Sequence, residues 1–218
     1  LPQIRERMEF MRALLDGREV PALRPPEEEG KQTWGRVDSV RLLGADKWGK
    51  LPLQLAVMGL NSAEAAGEFC DGVIVDGHMG GNGEGARATV AAATAGAHKA
   101  GRSLQDFRFI AAIDAAIDDD RRKALDKVRP TAARNIARKP YLPSTLGVDH
   151  ADVVKAVTES YKFYEHLNLE AKHRELIPDE VAMKCCIAGT PADCIAKGKE
   201  LQAAGITEIS IFITSQDE

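Results

Sequence analysis

The sequence predicts an α/β fold built on a parallel sheet, and three observations carry that reading. Strand-like apolar runs alternate with helical patterns along the chain, as repeated strand–helix–strand units require. Residues 51–57 are apolar apart from Gln54, which suits a strand covered on both faces. Two distant segments, AAGEFCDGVIV (65–75) and LQAAGITEISIFI (201–213), share one plan: helix, small residues, then strand.

Taken in order, Ile4, Met8, Met11, Leu14 and Leu15 recur at helical spacing, and Gly17 is placed to end that helix. Residues 18–50 centre on Pro25-Pro26-Glu27-Glu28-Glu29-Gly30 and read as a surface excursion with at most two short strands, around Trp34 and Val40. After the strand at 51–57 comes a turn at Gly59 and a short Ala-rich helix. Asn61 and Ser62 suit its N-cap, with Glu64 in its first turn. Gly72 opens the strand 72–76. The loop from Asp76 to Gly85 holds five glycines, which imply mobility or a close approach of backbone to a ligand.

A helix over 87–99 ends at Gly101, and 107–117 is a strand with Asp114 among alanines. If Asp114 points inward it needs a partner. Asp118-Asp119-Asp120 reads as the acidic first turn of a helix running toward Arg138, rather than as a metal site. Residues 139–143 break it. Helical pattern returns at 149–171 and near 178–183, so 139–185 forms a helical insertion before the last unit. Thr190-Pro191 and Asp193 start the final helix, Gly205 stops it, and 208–213 is a strand. The count is four main strands, half of what a (β/α)8 barrel needs.

A length of 218 residues fits one domain spanning 1–218, and 44% apolar with 28% charged residues is ordinary for a globular protein. A net charge of −4 without a basic stripe argues against nucleic acid as a partner. No apolar stretch approaches the ~20 residues that span a bilayer, and no signal-peptide pattern is present. Cys70, Cys185, Cys186 and Cys194 lack CxxC spacing, and Cys185 and Cys186 would face opposite sides of a strand. They read as buried free thiols of a cytoplasmic protein. The chain starts with Leu1, already in a helix, so the expectation is that something lies upstream.

The first functional hint is local. A strand leading through Gly59 into a helix N-terminus leaves backbone amides free to seat a phosphate, although many such turns bind nothing. His78, in the glycine-rich loop, reads first as a solvated residue, and Met58 as core filler.

Three segments in order, RALLDG (12–17), LPLQLAVMGLNSAEAAGEFCDGVIV (51–75) and GTPADCIAKGKELQAAGITEISIF (189–212), resemble the luciferase-like monooxygenase family. The closest likeness is to flavin- or F420-dependent oxidoreductases of the methylenetetrahydromethanopterin reductase type. The resemblance implies a TIM barrel of which this chain supplies strands five to eight. It implies FMN or coenzyme F420 as cofactor, held by Ala56, Val57, Met58, Gly59 and Leu60, with Asn61 and Ser62 at the following helix start. Relatives often carry Pro where this chain has Leu60. On the substrate side it selects Val75, Asp76 and His78, and it places the catalytic groups on strands with no counterpart here. The implied function is hydride transfer or monooxygenation of a small organic substrate, in a homo-oligomer or in association with the missing N-terminal half. The alternatives are a non-catalytic flavin-binding paralogue and a half-barrel subunit completed by another chain.

Overall fold

The computed structural model describes residues 2–22, 38–77, 81–138, 150–165, 168 and 170–214. Helix α1 (Pro2–Leu15) stops at Gly17, which takes φ 72 while the Arg18 amide donates back to the Ala13 carbonyl. The excursion that follows holds an antiparallel pair, β1 (Val20–Pro21) with β2 (Ser39–Val40). A strand does form at Val40, but its partner is at Val20, and Trp34 lies outside the described residues.

The main body then runs β3 (Gln54–Val57), α2 (Leu60–Phe69), β4 (Gly72–Asp76), α3 (Gly83–Lys99), β5 (Arg108–Ile117) and α4 (Arg121–Arg138). It continues with α5 (Ala151–Ser160), α6 (Asp179–Cys185), β6 (Ile187–Gly189), α7 (Pro191–Ala203) and β7 (Glu208–Ile213). All four expected strands are present and parallel. β5 is the hub: its residues 108–112 pair with β4 and its residues 110–115 with β7. Because 110–112 serve both partners, β4 and β7 lie on opposite edges of β5. Ala115 pairs with Ile187 as well as with Ile213, so β6 continues the β4 side beyond Asp76. β3 closes the far side of β4. β6 was not expected, since its three residues sit between a helix end and a helix cap and show no period of their own.

Side chains alternate across the sheet. Val57, Val73, Val75, Phe109, Ala111 and Ile113 enter a core with α2, α3 and α7, through Ala63, Ala66, Ala86, Ala93 and Leu201. The intervening residues, Ala56, Ile74, Asp76, Ile110, Ala112, Asp114 and Ala116, belong to the opposite face. There Ala116 and Ala188 join a second core with α4, α5 and α6 at the C-terminal end of the sheet. Cys185 and Cys186 are both buried in this second core. They end α6 and cap it rather than facing opposite sides of a strand.

At the N-terminal end of the sheet α1 is tied down by charge. Arg12 pairs with Asp71, whose Oδ2 also accepts the Leu53 N–H at 2.8 Å and whose Oδ1 stands 3.0 Å from Lys50 Nζ. Burial works against that charge, but the Leu53 amide, Lys50 and Arg12 outweigh it and hold the carboxyl below its usual range.

Candidate functional site

In parallel α/β sheets ligands collect where the strands end at their C-termini. Here that edge holds the β3–α2 turn, the end of β4 and the upper half of β5. Val57 and Val75 are in register, so the turn at Gly59 and Asp76 sit side by side.

The β3–α2 turn differs from the expectation in its cap. Helix α2 begins at Leu60 with Gly59 as N-cap, in extended backbone (φ −176, ψ 165) and with no side-chain cap bond. Asn61 and Ser62 therefore stand inside the first turn, and the Ser62 hydroxyl donates to the Gly59 carbonyl at 2.7 Å. Glu64 lies beyond the first turn and faces Arg5 and Lys99 instead. The first helical bond runs from the Ala63 amide to the Gly59 carbonyl, at 3.1 Å. The amides of Leu60, Asn61 and Ser62 have no turn behind them to accept.

The other helices that follow strands of the sheet are closed at this point. Asn82 Oδ1 accepts the Gly85 N–H and Glu200 Oε1 accepts the Gly83 N–H, both at 2.7 Å, at the start of α3. Asn82 also starts α3 four residues earlier than the expected 87. Before α4, Asp118 and Asp120 accept the Asp120 and Arg122 amides, so the three aspartates precede the helix instead of forming its first turn. Thr190 and Asp193 form a reciprocal capping box on α7.

Around the open turn, Ala56 is exposed on the open face and Met58 is 63% exposed, so Met58 is not core filler; Leu60 and Asn61 are also exposed. The side chains of Val57 and Val75 are buried in the helix-side core, so these two offer the open face only their main chain. Asp76 is half-buried on the open face. His78 lies outside the described residues. Gly77, before it, answers to packing: a Cβ there would stand 2.4 Å from the Cys185 carbonyl oxygen, so the close approach is to the end of α6.

The partner that Asp114 requires is Arg134 of α4, whose Nη2 stands 3.0 Å from Asp114 Oδ2, with the Thr131 hydroxyl 3.5 Å from Oδ1. Asn135 is 3% exposed, and its Nδ2 has no hydrogen-bond partner among the described residues. Sequence reading did not find this cluster, although a carboxylate in mid-strand already demanded a cation from somewhere. Burial, with Cys185 and Asp114 next in weight, keeps the neighbouring Cys186 thiol protonated by pushing its pKa well up. Among the described residues no group of three or more His, Cys, Asp or Glu could hold a metal ion.

A parallel sheet with βα units places the chain among α/β proteins, and the comparison with known families gives the family. The chain belongs to the luciferase-like monooxygenase family, whose model matches residues 1–208. It is similar to the 5,10-methylenetetrahydromethanopterin reductase of Archaeoglobus fulgidus, with 28% identity over 212 residues, 96% of this chain and 59% of that protein. Among solved structures it matches the coenzyme F420-dependent tetrahydromethanopterin reductase from Methanopyrus kandleri, with TM-score 0.67 and 23% identity. That match covers 96% of this chain and 56% of the other. An F420-dependent secondary alcohol dehydrogenase, solved with an F420–acetone adduct, matches with TM-score 0.64 and 19% identity over 97% of this chain and 56% of its own. At such identities the two structures speak to the fold. The chain thus spans little more than half the length of each.

Proposed function

We propose that this chain is the C-terminal half of a luciferase-like TIM barrel, with β3, β4, β5 and β7 as strands five to eight. On this reading residues 1–218 form one unit, 18–50 a surface excursion and 139–185 a helical insertion before the last strand–helix unit. The whole protein is a cytoplasmic, homo-oligomeric oxidoreductase that uses FMN or coenzyme F420 to act on a small organic substrate, by hydride transfer or monooxygenation.

One observation carries the reading. Among the described residues, four helices follow strands of the sheet, and of these α2 alone starts without a side-chain acceptor on its first amides. An anionic oxygen is stabilised there by the free N–H groups and the helix dipole. The residues present fit a phosphate-bearing cofactor: Leu60, Asn61 and Ser62 offer amides, while Ala56 and Met58 offer exposed apolar surface for a ring. Such a cofactor supplies the redox chemistry when bound; the protein's part is to seat it and exclude water. Asp76 and the backbone of Val75 line the substrate side, to which the family resemblance also assigns His78.

Gly59 provides the test. Its backbone is extended, which any residue adopts, and a Cβ there would meet nothing within 4 Å. Gly59→Val should therefore fold normally while its methyl groups crowd the amides. In the full-length protein, titrated with FMN and with F420 by fluorescence, we expect the affinity for the bound cofactor to fall about tenfold or more, with a melting temperature lowered by only about the few degrees that valine costs at an N-cap. Undiminished binding in that variant would remove the cofactor from this turn.

A further inference from the structure

On the open face, the cationic fork of Arg134 is only partly used by the fold among the described residues. Arg134 gives Nη2 to Asp114 at 3.0 Å, and Nε and Nη2 lean toward Asn135 Oδ1 at 3.4 Å. Its Nη1 makes no hydrogen bond among the described residues, and the side chain keeps 20% of its surface exposed. A guanidinium holds five N–H donors in a rigid plane, so a braced arginine with one free nitrogen is already aimed.

Three further observations narrow what it meets. First, position: Asp114 stands on the open face of β5, two residues beyond Ala112, which is in register with Asp76. β3 and β5 are two strand spacings apart, about 10 Å. A ligand anchored by a phosphate at the start of α2 reaches Arg134 by lying across β4. Second, charge: the Asp114 carboxylate, 3.0 Å from Nη2, already offsets the guanidinium charge, which disfavours a second carboxylate or phosphate at this point and leaves a neutral oxygen acceptor. Third, surroundings: Ile74, Ile110 and Ala112 make the intervening face apolar, with Phe212 beyond them on β7, which suits a flat ring.

We propose that Arg134, braced by Asp114, is a specificity-determining residue that donates through Nη1 to a ring carbonyl oxygen of the bound cofactor. This rests on the functional reading above and adds to it which edge of the ring faces α4.

Arg134→Lys keeps the positive charge and the pairing with Asp114 but removes the planar fork. Asp114→Asn keeps the side-chain volume and removes the brace. Both are made in the full-length protein, and FMN, coenzyme F420 and riboflavin are titrated by fluorescence beside a thermal melt. Riboflavin carries the ring without the phosphate and separates this contact from the Gly59 turn. The expected result is a loss of affinity of about three- to tenfold for the cofactor the protein binds, with the same factor for riboflavin where the ring is a flavin. The inhibition constant of inorganic phosphate, corrected for the changed cofactor affinity, is expected to stay the same. Should one variant fail to fold, the other decides. A change smaller than about threefold in the variants that fold overturns the proposal and leaves the Gly59 reading intact. Wild-type protein that binds neither FMN nor F420 overturns both.

Discussion

His173 is buried to 2% exposure with neither ring nitrogen hydrogen-bonded among the described residues. The Tyr161 ring stands 4.8 Å away, tilted by 46°, and Glu165 Oε2 lies 3.8 Å from Nδ1. Burial lowers the imidazole pKa below its ordinary 6.5, and Glu165 only partly restores it. The unfolded chain therefore binds a proton here more readily than the folded one, so this contribution to stability rises with pH. It is complete above about 6.5 and is lost as pH falls toward the depressed folded value. We expect His173→Phe to flatten the fall in melting temperature between about pH 7 and pH 5. An unchanged slope would acquit this residue. His173 shows how far residue-level function is legible in sequence. The Gly59 turn is local, so its open amides can be read from a strand, a glycine and a helix start. The Asp114–Arg134 pair joins positions twenty apart on different elements, and His173 is buried by packing that no local pattern records.

At the scale of elements, the apolar runs at 54–57, 72–76, 108–117 and 208–213 were legible because β-branched and alanine-rich runs between helical patterns have few other uses. Helix starts were set less well, because caps depend on which side chain reaches back, and Gly59 and Asn82 took roles assigned to residues further on. The α2–α3 seam was invisible as a seam. There two helices meet backbone to backbone: a Cβ on Gly67 would stand 1.9 Å from the Ala93 carbonyl oxygen, and one on Gly96 1.9 Å from that of Glu64. Backbone cannot give way as a side chain can. Gly96→Ala should cost about 3 kcal/mol in denaturant unfolding, overriding the ~1 kcal/mol that alanine gains over glycine inside a helix. Gly198→Ala on α7, where a Cβ meets nothing within 4 Å, is the control and should stabilise by up to ~1 kcal/mol. Equal effects at the two positions would mean the seam is looser than drawn.

For the whole molecule the deciding feature is the pair of open sheet edges. Among the described residues β3 pairs only with β4, and β7 only with β5. Along β7 this leaves Ile211 53%, Phe212 60% and Ile213 78% exposed. Ile211 is in register with Ile113, which is fully buried on the helix side, so the difference between them is the neighbour that β7 lacks. Bare parallel edges flanked by large apolar side chains are an association hazard, which natural proteins cover, charge or shorten. A half-barrel needs both edges paired, and the reading of β7 as strand eight predicts opposite signs for one substitution. In the full-length protein Ile211→Lys would bury an unpaired charge between strand and helix, and should cost about 3 kcal/mol or more in thermal or denaturant unfolding. In the 218-residue chain expressed alone, the same lysine should raise solubility by guarding the edge. If the full-length protein tolerates Ile211→Lys within about 0.5 kcal/mol, as exposed surface positions do, then β7 has no partner strand and the barrel reading fails.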